Sequence, residues 1–164
     1  MKILVCLDGE PHTHGAIERA IELARSESAE VVGLHVIDEW LRQFSSKIYA
    51  QGRQEYLEWV DQCLEEKASR VRESFVARCH AHDVTARFVL RDGDRTAEIV
   101  AVAHELAPDL VITGGRELTR WERFRSGKLP ERLRKAVGGK PPIEIVRQPT
   151  AHLRPASRVT DLIA

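Results

Sequence analysis

Apolar residues in this chain come in two patterns that alternate: short unbroken runs, and longer stretches repeating every three or four positions. The first run, Ile3-Leu4-Val5-Cys6-Leu7, is short and partly β-branched, so Lys2 to Leu7 predicts a buried strand. Asp8-Gly9-Glu10-Pro11 breaks it. From about Thr13 to Ser26, Ile17, Ala20, Ile21 and Ala24 share one helical face, with Thr13 as the expected N-cap. Glu30 to Ile37, with Val31, Val32, Leu34 and Val36, predicts the second strand. Asp38 to Arg53 has no clean period and reads as a loop with at most one helical turn.

The longest periodic stretch follows. Leu57, Val60, Leu64, Ala68, Val71, Phe75 and Cys79 step by three or four, predicting a helix from Gln54 to Ala81 with this stripe buried. Val84 to Leu90 predicts a third strand, closed by Asp92-Gly93-Asp94. Thr96 to Leu106 predicts a helix with Ile99, Ala103 and Leu106 inward, and Leu110 to Thr113 a fourth strand. Gly114 to Gly127 is a polar loop. Leu129 to Val137 is a short helix with Pro130 in its first turn, stopped by Gly138-Gly139-Lys140-Pro141-Pro142. Ile143 to Val146 is the fifth strand. Residues 1–147 thus read as one α/β domain and 148–164, with Pro149 and Pro155, as a C-terminal tail.

Strands linked by single helical crossovers imply a mostly parallel sheet with helices on both faces. Ligands of such sheets sit beyond the carboxyl ends of the strands, where the strand order switches. That rule directs attention to Cys6-Leu7-Asp8, Val36-Ile37-Asp38 and Thr113-Gly114-Gly115-Arg116.

Composition narrows the class. The 164 residues suit one domain, and 43% hydrophobic with 30% charged residues is an ordinary globular balance. Lys plus Arg equals Asp plus Glu at 25 each, so global charge selects no partner. Three cysteines, Cys6, Cys63 and Cys79, form no CxxC and fit a reducing compartment better than a disulfide scaffold. The opening apolar run is short for a signal peptide, and no stretch approaches the roughly 20 apolar residues of a membrane span. A cytoplasmic protein is expected.

Most catalytic and metal motifs are missing. Gly127-Lys128 and Gly139-Lys140 fail the P-loop pattern, and GxGxxG and GxSxG do not occur. The pairs His12/His14 and His80/His82 lack four-ligand zinc spacing and read as solvated loop histidines. Cys6, inside an apolar run, reads as a small buried hydrophobe. No base and nucleophile pair points to an enzyme. Between Arg116 and Lys140 nine Lys/Arg face three Glu, an excess of six positive charges suited to an anion. With only Trp121 and Phe124 as aromatics there, and no reader motif, nucleic acid is not the expected partner.

Three segments together resemble the universal stress protein family. They are Lys2-Ile3-Leu4-Val5-Cys6-Leu7-Asp8-Gly9 with Ala16, Ala20 and Ala24 behind it, Leu34-His35-Val36-Ile37-Asp38, and Arg91-Asp92-Gly93-Asp94 through Ala107-Pro108-Asp109-Leu110-Val111-Ile112-Thr113-Gly114. The resemblance implies an open, Rossmann-like, five-stranded parallel sheet in the order 3-2-1-4-5. It also implies a stress-response regulatory role and ATP or ADP, with accompanying Mg, as ligand. Cys6, Leu7, Asp8 and Val36 would face the nucleoside; Thr113, Gly114, Gly115, Arg116, Gly127, Lys128 and Leu129 would face ribose and phosphates. A homodimer through the last strand, Ile143, Glu144, Ile145 and Val146, is implied as well.

The chain departs from the family's phosphate-loop pattern of Gly, two residues, Gly, nine residues, Gly, then Ser or Thr. Gly114 and Gly127 fill two glycine positions, but Glu117 replaces the middle one and Lys128 the hydroxyl residue. A carboxylate repels phosphate, whereas a lysine attracts it, so weak binding is the expectation. Two alternatives stay open. Glu117 pairs with Lys128 or Arg116 and fills the site itself, leaving a nucleotide-free homodimeric module. Asp8 caps the turn after the first strand rather than holding a ligand.

Overall fold

The computed structural model describes residues 1–38, 53–116 and 129–148. Five strands, β1 (Lys2–Leu7), β2 (Glu30–Asp38), β3 (Ala86–Gly93), β4 (Leu110–Arg116) and β5 (Ile143–Gln148), alternate with four helices. The helices are α1 (Thr13–Glu27), α2 (Arg53–Ala81), α3 (Arg95–Leu106) and α4 (Leu129–Ala136). The strands form one sheet in the order β3-β2-β1-β4-β5, and every neighbouring pair is parallel, as the alternation and the resemblance together imply. Among the described residues no helix is long and apolar enough to cross a membrane.

Strand alternation sorts the core into two layers. Ile3, Val5 and Leu7 of β1 pack with Ile17, Ala20 and Ile21 of α1 and Val71, Phe75 and Cys79 of α2. Leu4 and the β2 residues Val32, Leu34 and Val36 pack on the other face with Ile99, Val102 and Ala103 of α3 and Leu133 of α4. Glycine is needed once in the middle of β2: a Cβ on Gly33 would lie 2.7 Å from Phe75 Cε1 and 2.9 Å from Leu7 Cδ1. The fully buried Phe75 ring takes that space and couples α2 to β1 and β2.

Several boundaries move, for tertiary reasons. β3 begins at Ala86, not Val84, because the Val84 N–H turns back to the Cys79 carbonyl and closes α2. β3 also continues through Asp92 to Gly93, since its register with β2 runs on to Asp38↔Gly93. Asp94 then caps α3 by accepting the Ala97 N–H at 2.9 Å. β4 extends past Thr113 to Arg116 and β5 past Val146 to Gln148, because the two strands pair along their whole length. The residues of the expected loop from 39 to 52, residues 117–128 and the tail from 149 lie outside the described residues.

The stripe on α2 is only half buried. Ala68, Val71, Phe75 and Cys79 are in the core, but Leu57, Val60 and Leu64 remain partly exposed. Length explains this: 29 helical residues reach about 43 Å, whereas the nine of β2 reach about 30 Å, so the first turns of α2 run past the sheet. There Tyr56 and Trp59 meet at a tilt with centroids 5.9 Å apart, and Trp59 is largely exposed.

Candidate functional site

The strand order switches at β1, which lies between β2 and β4. Pairing of β1 with β4 ends at Cys6↔Thr113, while β1 stays paired to β2 as far as Leu7↔His35 and β4 stays paired to β5 as far as Arg116↔Gln148. A notch therefore opens between the ends of β1 and β4, at the position where open α/β sheets take ligands.

Asp8 stands at the mouth of this notch, with a quarter of its side chain exposed. Its Oδ1 accepts the Glu10 N–H at 2.8 Å and the Thr13 hydroxyl, and His12 Nε2 lies 2.8 Å from Oδ2. Burial alone would raise the carboxyl; the Thr13 and Glu10 hydrogen bonds, with His12 and Arg95, overcome it and hold Asp8 below its ordinary value. Three of roughly four lone-pair positions are taken, leaving one on Oδ2. The turn-capping role is thus observed. Thr13 is not the N-cap of α1: His12 occupies that position without a side-chain cap bond, and the Thr13 hydroxyl serves Asp8. His12, likewise, is not a free loop histidine.

The remaining expected residues divide by face. Cys6 and Val36 pack on the α3–α4 layer, and alternation from Val111 puts Thr113 there as well. The Cys6 thiol is pushed up to about 12 by burial, against the pull of Arg95 and with a push from Asp8, so it is a neutral wall group and not a nucleophile. Leu7 faces the opposite layer, under α1 and α2. Gly114 and Gly115 lie on β4 beyond the end of its pairing with β1, each with protein in the direction a Cβ would point. At Gly114 that atom would meet the His12 carbonyl oxygen at 2.7 Å, and at Gly115 Ile145 Cγ2 at 2.9 Å. Arg116 ends β4 opposite Gln148, and Leu129 opens α4. Gly127 and Lys128, with Glu117, lie outside the described residues.

Two groups escaped the sequence reading. Arg95, the first residue of α3, is half buried and its charge acts on Cys6, Asp8 and His35 together. Among the described residues no carboxylate lies within ion-pair distance of it. His35, on β2 beside Leu7, is buried with Nδ1 2.7 Å from the Leu7 carbonyl, which can only accept, so Nδ1 carries the proton. Burial lowers its pKa, with Lys67 and Arg95 helping against the Leu7 hydrogen bond, and the ring is neutral at pH 7. The Asp94 cap, three positions before Ala97, was the available signal for Arg95; a buried histidine in a valine-rich strand was the signal for His35. Among the described residues no cluster of His, Cys, Asp or Glu could hold a metal ion.

Comparison with known proteins places the fold in a family. The model of the universal stress protein family matches residues 1–137. A universal stress protein of Bacillus subtilis, YxiE, is 23% identical over 135 residues, covering 80% of this chain and 90% of its own. A universal stress protein family structure from Burkholderia pseudomallei superposes with a TM-score of 0.66 at 22% identity, covering 88% of this chain and 94% of its own. One from Arabidopsis thaliana, solved with AMP bound, superposes at 0.64 with 21% identity, covering 90% and 92%. At these identities the structural likeness is one of fold.

Proposed function

This chain belongs to the universal stress protein family, and from that premise we propose that it is a cytoplasmic regulatory protein, not an enzyme, that binds ATP or ADP weakly. The observation that carries this reading is the notch between β1 and β4, with an ionised Asp8 at its mouth and the half-buried Arg95 beside it. The Arabidopsis neighbour, with AMP bound, supports a nucleotide as the ligand class. The free lone pair on Asp8 Oδ2 accepts a hydroxyl or amino group of the nucleoside, and Cys6, Val36 and Thr113 supply the wall. Gly114, Gly115, Arg116, Gly127, Lys128 and Leu129 line the phosphates, with Mg carried by the phosphates themselves.

Weak binding means micromolar to millimolar, on the order of 4–8 kcal/mol. Glu117→Gly is expected to tighten ATP binding by removing repulsion and freeing backbone access, and Lys128→Glu to weaken it. Both effects shrink in high salt where they are electrostatic. Titration calorimetry of wild type and the two variants is the check. Absence of binding at millimolar ATP in both wild type and Glu117→Gly would reject the nucleotide reading.

A second reading, a nucleotide-free homodimeric interaction module, is favoured by a different observation. Asp8 already accepts from three local partners, and Gly114 is closed against the start of α1. Both readings share the dimer. β5 is an edge strand, and among the described residues no strand pairs its outer side. Glu144 turns to α1, where Arg19 Nε meets its Oε1 at 2.9 Å. Val146 packs on that same side, so Glu144 is not alone there. Antiparallel pairing of Ile143–Val146 with a second copy satisfies the free edge, and Val159, Leu162 and Ile163 of the tail after Gln148 reinforce it. Ile145→Pro removes a donor and is expected to release monomers in sedimentation experiments. A wild type that sediments as monomer at high micromolar concentration would overturn the dimer.

A further inference from the structure

On the opposite face of the sheet from Cys6 and Val36, a cavity of about 360 Å³ opens between α1 and α2. Two ion pairs join the helix face of α2 to the α1 side. Lys67 Nζ lies 3.2 Å from Glu10 Oε1 at the rim of the cavity, and Arg78 donates to Glu18 Oε1 at 2.7 Å, outside its lining. The floor is apolar: Leu7, Ile17 and Val71 are buried there. Thr13 also lines it, but its hydroxyl is committed to Asp8.

The rim is polar and biased to positive charge. Lys67, Arg70 and Ser74 stand at three- and four-residue spacing on α2, so all three border the same opening. Glu10 is the lone acid among the described lining residues, and it is engaged by Lys67. Arg70 has no carboxylate within ion-pair distance among the described residues. Its guanidinium presents a fork that matches a carboxylate at two points. The volume lies at the lower end of the range for small-molecule sites and equals about twelve waters at ~30 Å³ each.

These features select against the simplest ligands. Inorganic phosphate would satisfy the rim and leave the apolar floor wet. A neutral hydrocarbon would cover the floor and strip water from cations without replacing it. We propose that the α1–α2 cavity binds a small amphipathic monocarboxylate of about ten non-hydrogen atoms, its chain on the Leu7–Ile17–Val71 floor and its carboxylate on Arg70. Ser74 and His14 offer further donors at the rim. The site is separate from the notch between β1 and β4 and does not rest on nucleotide binding.

Octanoate is the probe, titrated into the full chain by calorimetry and followed by amide chemical shifts. Wild type is expected to bind with a dissociation constant on the order of 1 mM or tighter, as befits so small a ligand. Arg70→Glu should weaken binding by about tenfold or more and Ser74→Trp, which fills the opening, should abolish it. Both residues are exposed on the helix surface, so both variants should keep their unfolding midpoints. Octanol should bind more weakly than octanoate to wild type. Shifts concentrated between Gly9 and Ile17 and between Lys67 and Ser74 would support the site. It is overturned by absence of binding at about 10 mM octanoate, by equal affinity in wild type and both variants, or by shifts confined to Leu57–Leu64.

Discussion

Phe75→Ala is expected to lower the unfolding free energy by about 3–5 kcal/mol, a large share of the ~5–15 kcal/mol a domain possesses. The ring is fully buried and lies on Gly33, where β2 has no side chain, with Leu7 beside it and Phe88 at 6.4 Å between centroids. Removing it leaves a void bounded by backbone, which has little freedom to collapse. Urea unfolding would read the change, with a melting-point drop of about 10 °C or more. The complementary change makes the same point from the other side. Gly33→Ala brings a methyl to 2.7 Å from the ring, and combining it with Phe75→Leu should recover part of the loss of either single variant. A Phe75→Ala protein that loses less than about 1 kcal/mol would show that α2 is not anchored at this contact.

The second large effect is expected at Gly114. An alanine methyl there would stand 2.7 Å from the His12 carbonyl oxygen, 3.0 Å from Thr13 Cα and 3.1 Å from the His12 carbonyl carbon. All three are backbone atoms, so no side-chain rotation relieves the clash; the start of α1 must move off β4. Overpacking of this kind costs about 1–3 kcal/mol. Because His12 and Thr13 are two of the partners of Asp8, the displacement should also disturb the carboxylate. Gly114→Ala is therefore expected to lower the unfolding midpoint and to shift the amide resonances of Glu10 and Thr13. A variant with wild-type stability and unmoved resonances would mean that β4 and α1 do not meet as described.

This reading gives Gly114 a role apart from any phosphate. The family pattern assigns its glycine to a ligand loop, but here the missing side chain also lets β4 pass close under the first turn of α1. The two roles predict different outcomes for substitutions at Glu117 and at Gly114. Glu117→Gly should change affinity, and Gly114→Ala should change stability as well.

The sequence by itself determined the elements, their order and the α/β class with helices on both faces of the sheet. Short β-branched runs cannot satisfy a helical stripe, and helices between buried strands leave few connections except parallel crossovers. The stretch Leu110–Thr113 was legible for that reason, as were the buried faces of α1 and the lower half of α2. The strand ends that border the notch were legible too, because ligand position follows from topology. Tertiary structure decided the rest. Strand ends at Gly93, Arg116 and Gln148 are set by the length of the neighbouring strand, which no local pattern encodes. The exposure of Leu57, Val60 and Leu64 follows from a helix outrunning its sheet, although their spacing is as regular as that of Ala68, Val71, Phe75 and Cys79. Whether Asp8 capped its turn or stood free depended on Thr13 and His12 reaching back to it, and the action of Arg95 on Asp8, Cys6 and His35 joins residues far apart in the chain. Periodicity reports which way a side chain faces along its own element; only the packing of different elements decides which charges meet and which partners a carboxylate has already taken.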